Sequence, residues 1–327
     1  MIQMTIEEIW DRYKEDLRLA EEKIKETFNT VTPVIGLVGK HLLMGGGKRI
    51  RPFLAIATSK LLGYSGEKAS VLACGVESIH TASLLHDDVV DGANIRRGRP
   101  SAHSLWGDQI VILVGDYLYS NALKLVNSLK SQKIMDAFTN ATAKMSEGEL
   151  IQLSKKRNPD ISEEDYMTII KGKTAILMSA VCMSGGIIGD AAQKEQDALA
   201  GFGLKFGLSF QITDDILDYM ADENILGKSL GKDLEEGKIT LPLIYLLKEA
   251  SPQEAERIKS TIKSEKILKS DLAYILNLLN RYKSIEKSNE KARNILQEAK
   301  RELDIFKDTA EKSALLTISD YALNREK

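Results

Sequence analysis

Two short acidic stretches stand out for the chemistry they can do. Leu84-Leu85-His86-Asp87-Asp88-Val89-Val90-Asp91 and Gln211-Ile212-Thr213-Asp214-Asp215-Ile216-Leu217-Asp218 share the form Asp-Asp-x-x-Asp. On a helix advancing about 100° per residue, the first and last Asp of each trio stand about 40° apart, one turn above the other. Val89, Val90, Ile216 and Leu217 lie between the acids, so the trios interrupt helix flanks expected to be buried. A single trio reads most simply as a solvated patch or a helix-end charge cluster. Two copies inside apolar runs point to a shared task. Like carboxylates on adjacent turns repel, and if the trios face each other in a cleft they must protonate or take up cations. Hard oxygen donors favour Mg²⁺, which keeps several waters and bridges carboxylates to phosphate oxygens. Asp87, Asp88, Asp91, Asp214, Asp215 and Asp218 are therefore the candidate metal ligands, and a diphosphate is the natural third party.

Basic groups beside glycine-rich turns could neutralise such an anion. One cluster is Gly45-Gly46-Gly47-Lys48-Arg49-Ile50-Arg51-Pro52, where the backbone can approach an anion closely and Arg51 offers a two-pronged fork. It lacks the spacing and the preceding strand of a Walker A loop. A second cluster, Arg96-Arg97-Gly98-Arg99-Pro100, follows Asp91, and a third carries Lys228, Lys232 and Lys238 after Asp218. Each alone is an ordinary solvated loop; their position beside both aspartate trios is what that reading does not explain.

The elements that must hold these groups read as helices. Proline occurs at only six positions in 327 residues, and aromatics make up 6%. Apolar residues recur at helical spacing in Ser70 to Asp91 and Ala198 to Tyr219, and short alternating runs are lacking. Breaks are expected at Gly45 to Gly47, Gly92 to Pro100, Arg157 to Pro159 and Gly227 to Gly237. Ile6 to Phe28 and about Glu254 to Leu303 read as amphipathic helix without chemistry. A net charge of −2 argues against a polyanion-binding surface and so against nucleic acid. Cys74 and Cys182 form no disulfide framework and fit a reducing compartment. An acidic N-terminal stretch is unlike a secretory signal, and the longest uncharged run, Thr174 to Gly189, falls short of the roughly 20 residues of a spanning helix. The expectation is a cytoplasmic protein without a transmembrane segment.

From Gly45 to Leu246 the chain resembles the trans-isoprenyl diphosphate synthases, or polyprenyl synthetases. The resemblance is carried in order by Gly-Gly-Lys-x-x-Arg-Pro, Leu-x-His-Asp-Asp-x-x-Asp with Arg-Arg-Gly-x-Pro, Lys-Thr, and Phe-Gln-x-x-Asp-Asp-x-x-Asp followed by Gly-Lys. It implies one isoprenoid synthase domain over residues 1–327, an all-α bundle of antiparallel helices around an apolar cavity, and a homodimer. It further implies three Mg²⁺, two on Asp87 and Asp91 with Asp88 in support, and a third on Asp214 helped by Asp215 and Asp218. Lys48, Arg51, His80 and Arg97 match positions that hold isopentenyl diphosphate. Arg96, Lys173, Lys228 and Lys238 match those on the allylic diphosphate. Thr174 and Gln211 fall near the developing allylic cation, while Glu149 and Gln152 fall where metal-bound waters are supported. Lys173-Thr174 taken by itself is an ordinary helix start, and His80 an ordinary core histidine.

The implied reaction is repeated ionisation, condensation and elimination, without a nucleophilic side chain. Product length should depend on what stands below the first trio. Ala82 and Ser83 are small where short-chain relatives carry a ring, with Ile79 a turn deeper. The reading is a long all-trans product around the C40 class, primed by farnesyl or geranylgeranyl diphosphate, and a ring at Ala82 should shorten it. A short-chain synthase is the alternative. A terpene cyclase fits poorly, because it normally carries an Asn/Ser/Glu metal motif at the second trio, and a regulatory subunit of a heteromeric synthase would usually have lost a trio.

Overall fold

The computed structural model describes residues 4–44, 47, 49–96, 98–220 and 231–323. The chain runs α1 (Ile6–Thr27), α2 (Pro33–Met44), α3 (Ile50–Leu61), α4 (Lys68–Val90), a hairpin of β1 (Ile95–Arg96) and β2 (Arg99–Pro100), α5 (Ala102–Trp106), α6 (Asp108–Ser128) and α7 (Gln132–Ser154). It continues through α8 (Glu163–Ile170), a π-helical turn (Lys171–Ala175), α9 (Ile176–Ile188), α10 (Gln193–Met220), α11 (Lys232–Glu235), α12 (Leu241–Glu249), α13 (Pro252–Lys263), α14 (Lys269–Arg281), α15 (Ser284–Glu302) and α16 (Ala310–Leu323). The all-α expectation holds: the only strands among the described residues are β1 and β2, antiparallel with Arg96 opposite Arg99. The expected loop over Gly92 to Pro100 contains this hairpin, turned by Gly98 at φ +73°.

Helix starts follow local chemistry. Thr5 with Glu8, Ser162 with Asp165, and Ser251 with Glu254 form reciprocal caps at α1, α8 and α13, each satisfying backbone N–H groups that a first turn leaves without partners. The stretch from about Glu254 to Leu303, expected as amphipathic helix, is three helices. Ser264 turns extended after α13, and Lys283 at φ +54° follows α14. Each short helix thereby turns its own apolar stripe inward.

The chain forms two compact units, residues 1–140, 177–203 and 302–318, and residues 141–176, 204–301 and 319–327. In the first, Tyr13 of α1 meets Phe53 of α3 edge-on at 5.0 Å, and Leu72, Ile79 and Leu85 of α4 are fully buried. Small residues let helices approach: a methyl group on Gly75 of α4 would stand 3.1 Å from Val126 of α6, and one on Gly185 of α9 would collide with Thr58 of α3. In the second unit, Ile169, Ile212, Ile216, Leu243, Ile258, Ile275 and Leu278 belong to one core.

One sequence expectation needs correction: Lys173 and Thr174 do not start a helix but lie in the π-helical turn joining α8 to α9. The continuous helical run Glu163–Ile188 is long and apolar enough to cross a membrane by length and composition alone, and most of the qualifying window is buried. Core helices pass the same test.

Gly148 of α7 and Gly172 of the π turn touch backbone to backbone. A methyl group on Gly172 would stand 2.9 Å from the Lys144 carbonyl oxygen and 3.0 Å from Gly148 Cα. Gly172→Ala is expected to destabilise the protein by about 1–3 kcal/mol in urea unfolding, because rigid backbone must yield. Gly36→Ala on α2, where the added methyl makes only ordinary contact at 3.5 Å, is expected to be neutral or stabilising.

Candidate active site

The first trio stands at the C-terminal end of α4. Asp87 and Asp88 lie in its last turn and Asp91 caps it, its N–H donating to the Asp87 carbonyl at 2.8 Å. Unsatisfied carbonyls make a helix C-terminus electronegative, so three carboxylates there call for positive charge. Asp88 is 2% exposed and receives Arg96 Nε from β1 at 2.6 Å, while Asp87 and Asp91 are half-buried. Val90 is 48% exposed, so the apolar flank inferred for this trio is only partly buried, as suits the last residue of a helix.

Beside this end of α4 lies a small cleft of about 70 Å³, lined by Arg49, Glu77, His80, Leu84, Asp88 and Arg96 among others. Glu77, His80, Leu84 and Asp88 recur at helical spacing, so one face of α4 supplies the wall. His80, Asp88 and Arg96 thus line one cleft. Lys48 and Arg97 lie outside the described residues, as does Lys228. Arg51 is half-buried in the first turn of α3.

Arg49 and Glu77 carry no signal of their own in the motif reading. Arg49 adopts φ +50°, a left-handed conformation a non-glycine residue holds at some cost, immediately before α3. Its guanidinium donates to Glu21 of α1 at 2.9 Å and to Glu77 of α4 at 3.0 Å, tying three helices together next to the Lys48–Arg51 segment. A glutamate inside the apolar run Val71 to Ile79 was the available clue. The remaining histidines bond locally: His41 to the Pro100 carbonyl, His103 to the Ala93 carbonyl and Asp108, His86 to the Ile112 carbonyl and Asp116.

The second trio occupies the last two turns of α10. Asp214 is exposed, Asp218 half-buried and Asp215 6% exposed. Asp215 faces inward, Oδ2 accepting from the Tyr166 hydroxyl at 2.6 Å and Oδ1 from Gln211 Nε2 at 2.8 Å. Thr174 Oγ1 donates to Gln211 Oε1 at 2.7 Å, so two residues expected at one reacting centre do meet. Burial pushes the Asp215 carboxyl up to about 7; Tyr166 and Gln211 pull it back, and Asp214 and Asp218 push it further. Asp233, whose N–H donates to Asp218 Oδ2 at 3.0 Å, is raised by burial and then by Asp218 and Asp215.

The basic groups of this unit are held by acids. Lys173 Nζ pairs with Glu149 Oε2 at 2.7 Å and reaches Gln152 Oε1 at 3.2 Å; Lys238 pairs with Glu236 at 2.6 Å. Lys232, half-solvated, bonds to Glu236. Arg157 receives the Gly237 carbonyl on its N–H and spreads its guanidinium over the Glu235, Ile262, Ser264 and Glu265 carbonyls, which fixes the turn before Lys238.

Divalent cations fit these residues by their chemistry. Oxygen donors cluster in each trio, Asp215 is raised first by burial and further by Asp214 and Asp218, and Glu149 Oε1 is buried without a hydrogen-bond partner among the described residues. Among those residues no group of three or more His, Cys, Asp or Glu is already gathered as a metal cage. Ala82 and Ile79, expected near a product floor, are completely buried; Ala82 packs among Phe28, Val111, Val114 and Leu118. Only Ser83 of the three retains exposure.

The sequence matches the model of the polyprenyl synthetase family over residues 32–279. It is 36% identical over 324 residues to the octaprenyl diphosphate synthase of Escherichia coli, covering 99% of this chain and 100% of that one. It is equally 36% identical over 326 residues to a short chain isoprenyl diphosphate synthase of Methanothermobacter thermautotrophicus, covering 98% and 99%. A polyprenyl synthase of Caulobacter crescentus, solved with calcium and isoprenyl diphosphate, superposes with a TM-score of 0.94 at 32% identity over 100% of both chains.

Arg49→Ala would leave the Glu77 carboxylate buried without its guanidinium. A loss of about 2–3 kcal/mol in urea unfolding is expected, with Arg49→Lys intermediate because an ammonium cannot bridge two acids with a planar fork.

Proposed function

From the premise that the chain belongs to the polyprenyl synthetase family and is a prenyltransferase, we propose that it condenses an allylic diphosphate with successive isopentenyl diphosphates to a long all-trans polyprenyl diphosphate around C40. The observation that carries the reading is the pair of acid trios, one closing α4 and one on α10, each accompanied by basic residues held ready by acids.

By family expectation Asp87 and Asp91, with Asp88 in support, would hold two Mg²⁺, and Asp214, helped by Asp215 and Asp218, would hold a third. Bound Mg²⁺ supplies Lewis-acid stabilisation of the departing diphosphate. Arg96, Lys173 and Lys238, with Lys228, bind the allylic diphosphate and neutralise the charge that grows as its carbon–oxygen bond breaks. Arg51 and His80, with Lys48 and Arg97, orient isopentenyl diphosphate so that its double bond attacks the allylic carbon. The Thr174 and Gln211 oxygens stabilise positive charge at that carbon. Loss of a proton to the released diphosphate completes the new double bond. Glu149 holds Lys173 through Oε2, and its Oε1 would be left to support the metal site, as the family resemblance implies.

Residues 1–327 act as one isoprenoid synthase domain in this reading, since the family match crosses both compact units. Buried, free Cys74 and Cys182 fit a cytoplasmic location, and exposed Ile110, Ile112 and Leu113 on α6 fit a homodimer. Farnesyl or geranylgeranyl diphosphate is the primer, chosen because Ala82 and Ser83 put no ring beneath the first trio. Complete burial of Ala82 and Ile79 supports a second reading, a shorter geranylgeranyl or farnesyl product stopped at that depth.

Asp87→Asn and Asp214→Asn are each expected to lower kcat by about 10²–10³-fold with both diphosphates and Mg²⁺ supplied, as befits groups that act on developing charge. Full activity of either variant would refute the assignment. The mass of the dephosphorylated product at saturating isopentenyl diphosphate decides between the two lengths. Ser83→Phe is expected to lower that mass, whereas Ala82→Phe also overpacks the core and loses about 1–3 kcal/mol of stability.

A further inference from the structure

Tyr166 of α8 is 3% exposed and belongs to none of the sequence motifs. Its hydroxyl begins a directed chain of hydrogen bonds: Tyr166 to Asp215 Oδ2, Gln211 Nε2 to Asp215 Oδ1, and Thr174 Oγ1 to Gln211 Oε1. In its ionised form Asp215 only accepts, and it then obliges the Gln211 amide to turn its NH₂ inward and its carbonyl oxygen to Thr174, the arrangement the structure holds. With that carbonyl accepting, the Thr174 hydroxyl proton points to Gln211 and its lone pairs point elsewhere. The chain leaves α8, crosses to α10 and returns to the π turn, so both ends lie on one continuous helical run. Nothing else in the described structure bonds Asp215 Oδ2, so the tyrosine hydroxyl is what keeps this carboxylate from rotating about its side-chain torsion.

We propose that Tyr166 is a positioning residue for prenyl transfer, holding Asp215 so that the Gln211 amide and the Thr174 hydroxyl keep one orientation at the allylic carbon. The proposal rests on the reading of Thr174 and Gln211 given above. It assigns Tyr166 no contact with substrate. Removing its hydroxyl lets Asp215 turn and frees the amide to flip, which disorders two oxygens that matter most when charge develops. The effect therefore falls on kcat rather than on binding.

Four full-length proteins test this: wild type, Tyr166→Phe, Thr174→Val and the double variant, in steady-state kinetics with farnesyl diphosphate, isopentenyl diphosphate and Mg²⁺, with unfolding curves alongside. Tyr166→Phe is expected to lower kcat about tenfold, the worth of one buried hydrogen bond, with both KM values within about twofold of wild type. In the double variant the losses should overlap, leaving kcat close to that of Thr174→Val alone, because both changes cut one chain. Tyr245→Phe, which removes a hydroxyl bonded to Glu163 on the same α8, should keep kcat. An unchanged kcat in Tyr166→Phe, multiplicative losses in the double variant, or an equal loss in Tyr245→Phe would overturn the proposal while leaving the functional reading intact. An unchanged kcat in Thr174→Val would overturn that reading as well.

Discussion

Negative charge gathered at the negative end of a helix is the constraint to which the site answers. The first trio closes α4, where carbonyl dipoles already point outward, and the second lies on α10 with Asp215 turned into the core. Burial raises the Asp215 carboxyl most, and Asp214 and Asp218 push it further. Hydrogen bonds from Tyr166 and Gln211 offset part of that cost, and cations can offset the cost of gathered carboxylates. Some are built in: Arg96 reaches Asp88 from the hairpin, and an ion pair with Glu149 keeps Lys173 in place on the π turn.

Much of the surrounding architecture serves to hold charged groups where their charge is useful. Arg49 spans Glu21 and Glu77 and stabilises a backbone turn that L-residues avoid. Arg157 gathers four carbonyls and fixes the turn ahead of Lys238. The Gly148–Gly172 contact admits the π turn close against α7, which lets Lys173 meet Glu149 and Thr174 face Gln211. None of these contacts is large in apolar area. Each works because a long side chain or a missing Cβ brings polar groups within hydrogen-bonding distance while aliphatic neighbours keep water away.

The motifs were legible because their chemistry is local. Asp-Asp-x-x-Asp puts two carboxylates on one helical face whatever the rest of the chain does, and glycine beside lysine or arginine marks an anion turn. The meeting of Thr174 with Gln211 was legible only through the family resemblance, since nothing in either segment points to the other. Arg49 and Glu77 were half-visible, one inside a quoted motif and the other as an acid in an apolar run. Tyr166 was invisible: a tyrosine at helical spacing among isoleucines is indistinguishable from ordinary core.

The amino-acid order alone therefore determined the helical class, the breaks at Gly92 to Pro100 and Arg157 to Pro159, and the identity of the acids and bases, because periodicity, turn chemistry and ligand chemistry act over a few residues. Tertiary structure decided which member of each trio turns inward, that α4 ends within its trio, that Lys173 and Thr174 lie on a π turn instead of a helix start, and that Ala82 is sealed in the core. Those outcomes depend on which side chains from distant segments fill the same space and share the same hydrogen bonds, and no local pattern encodes that competition.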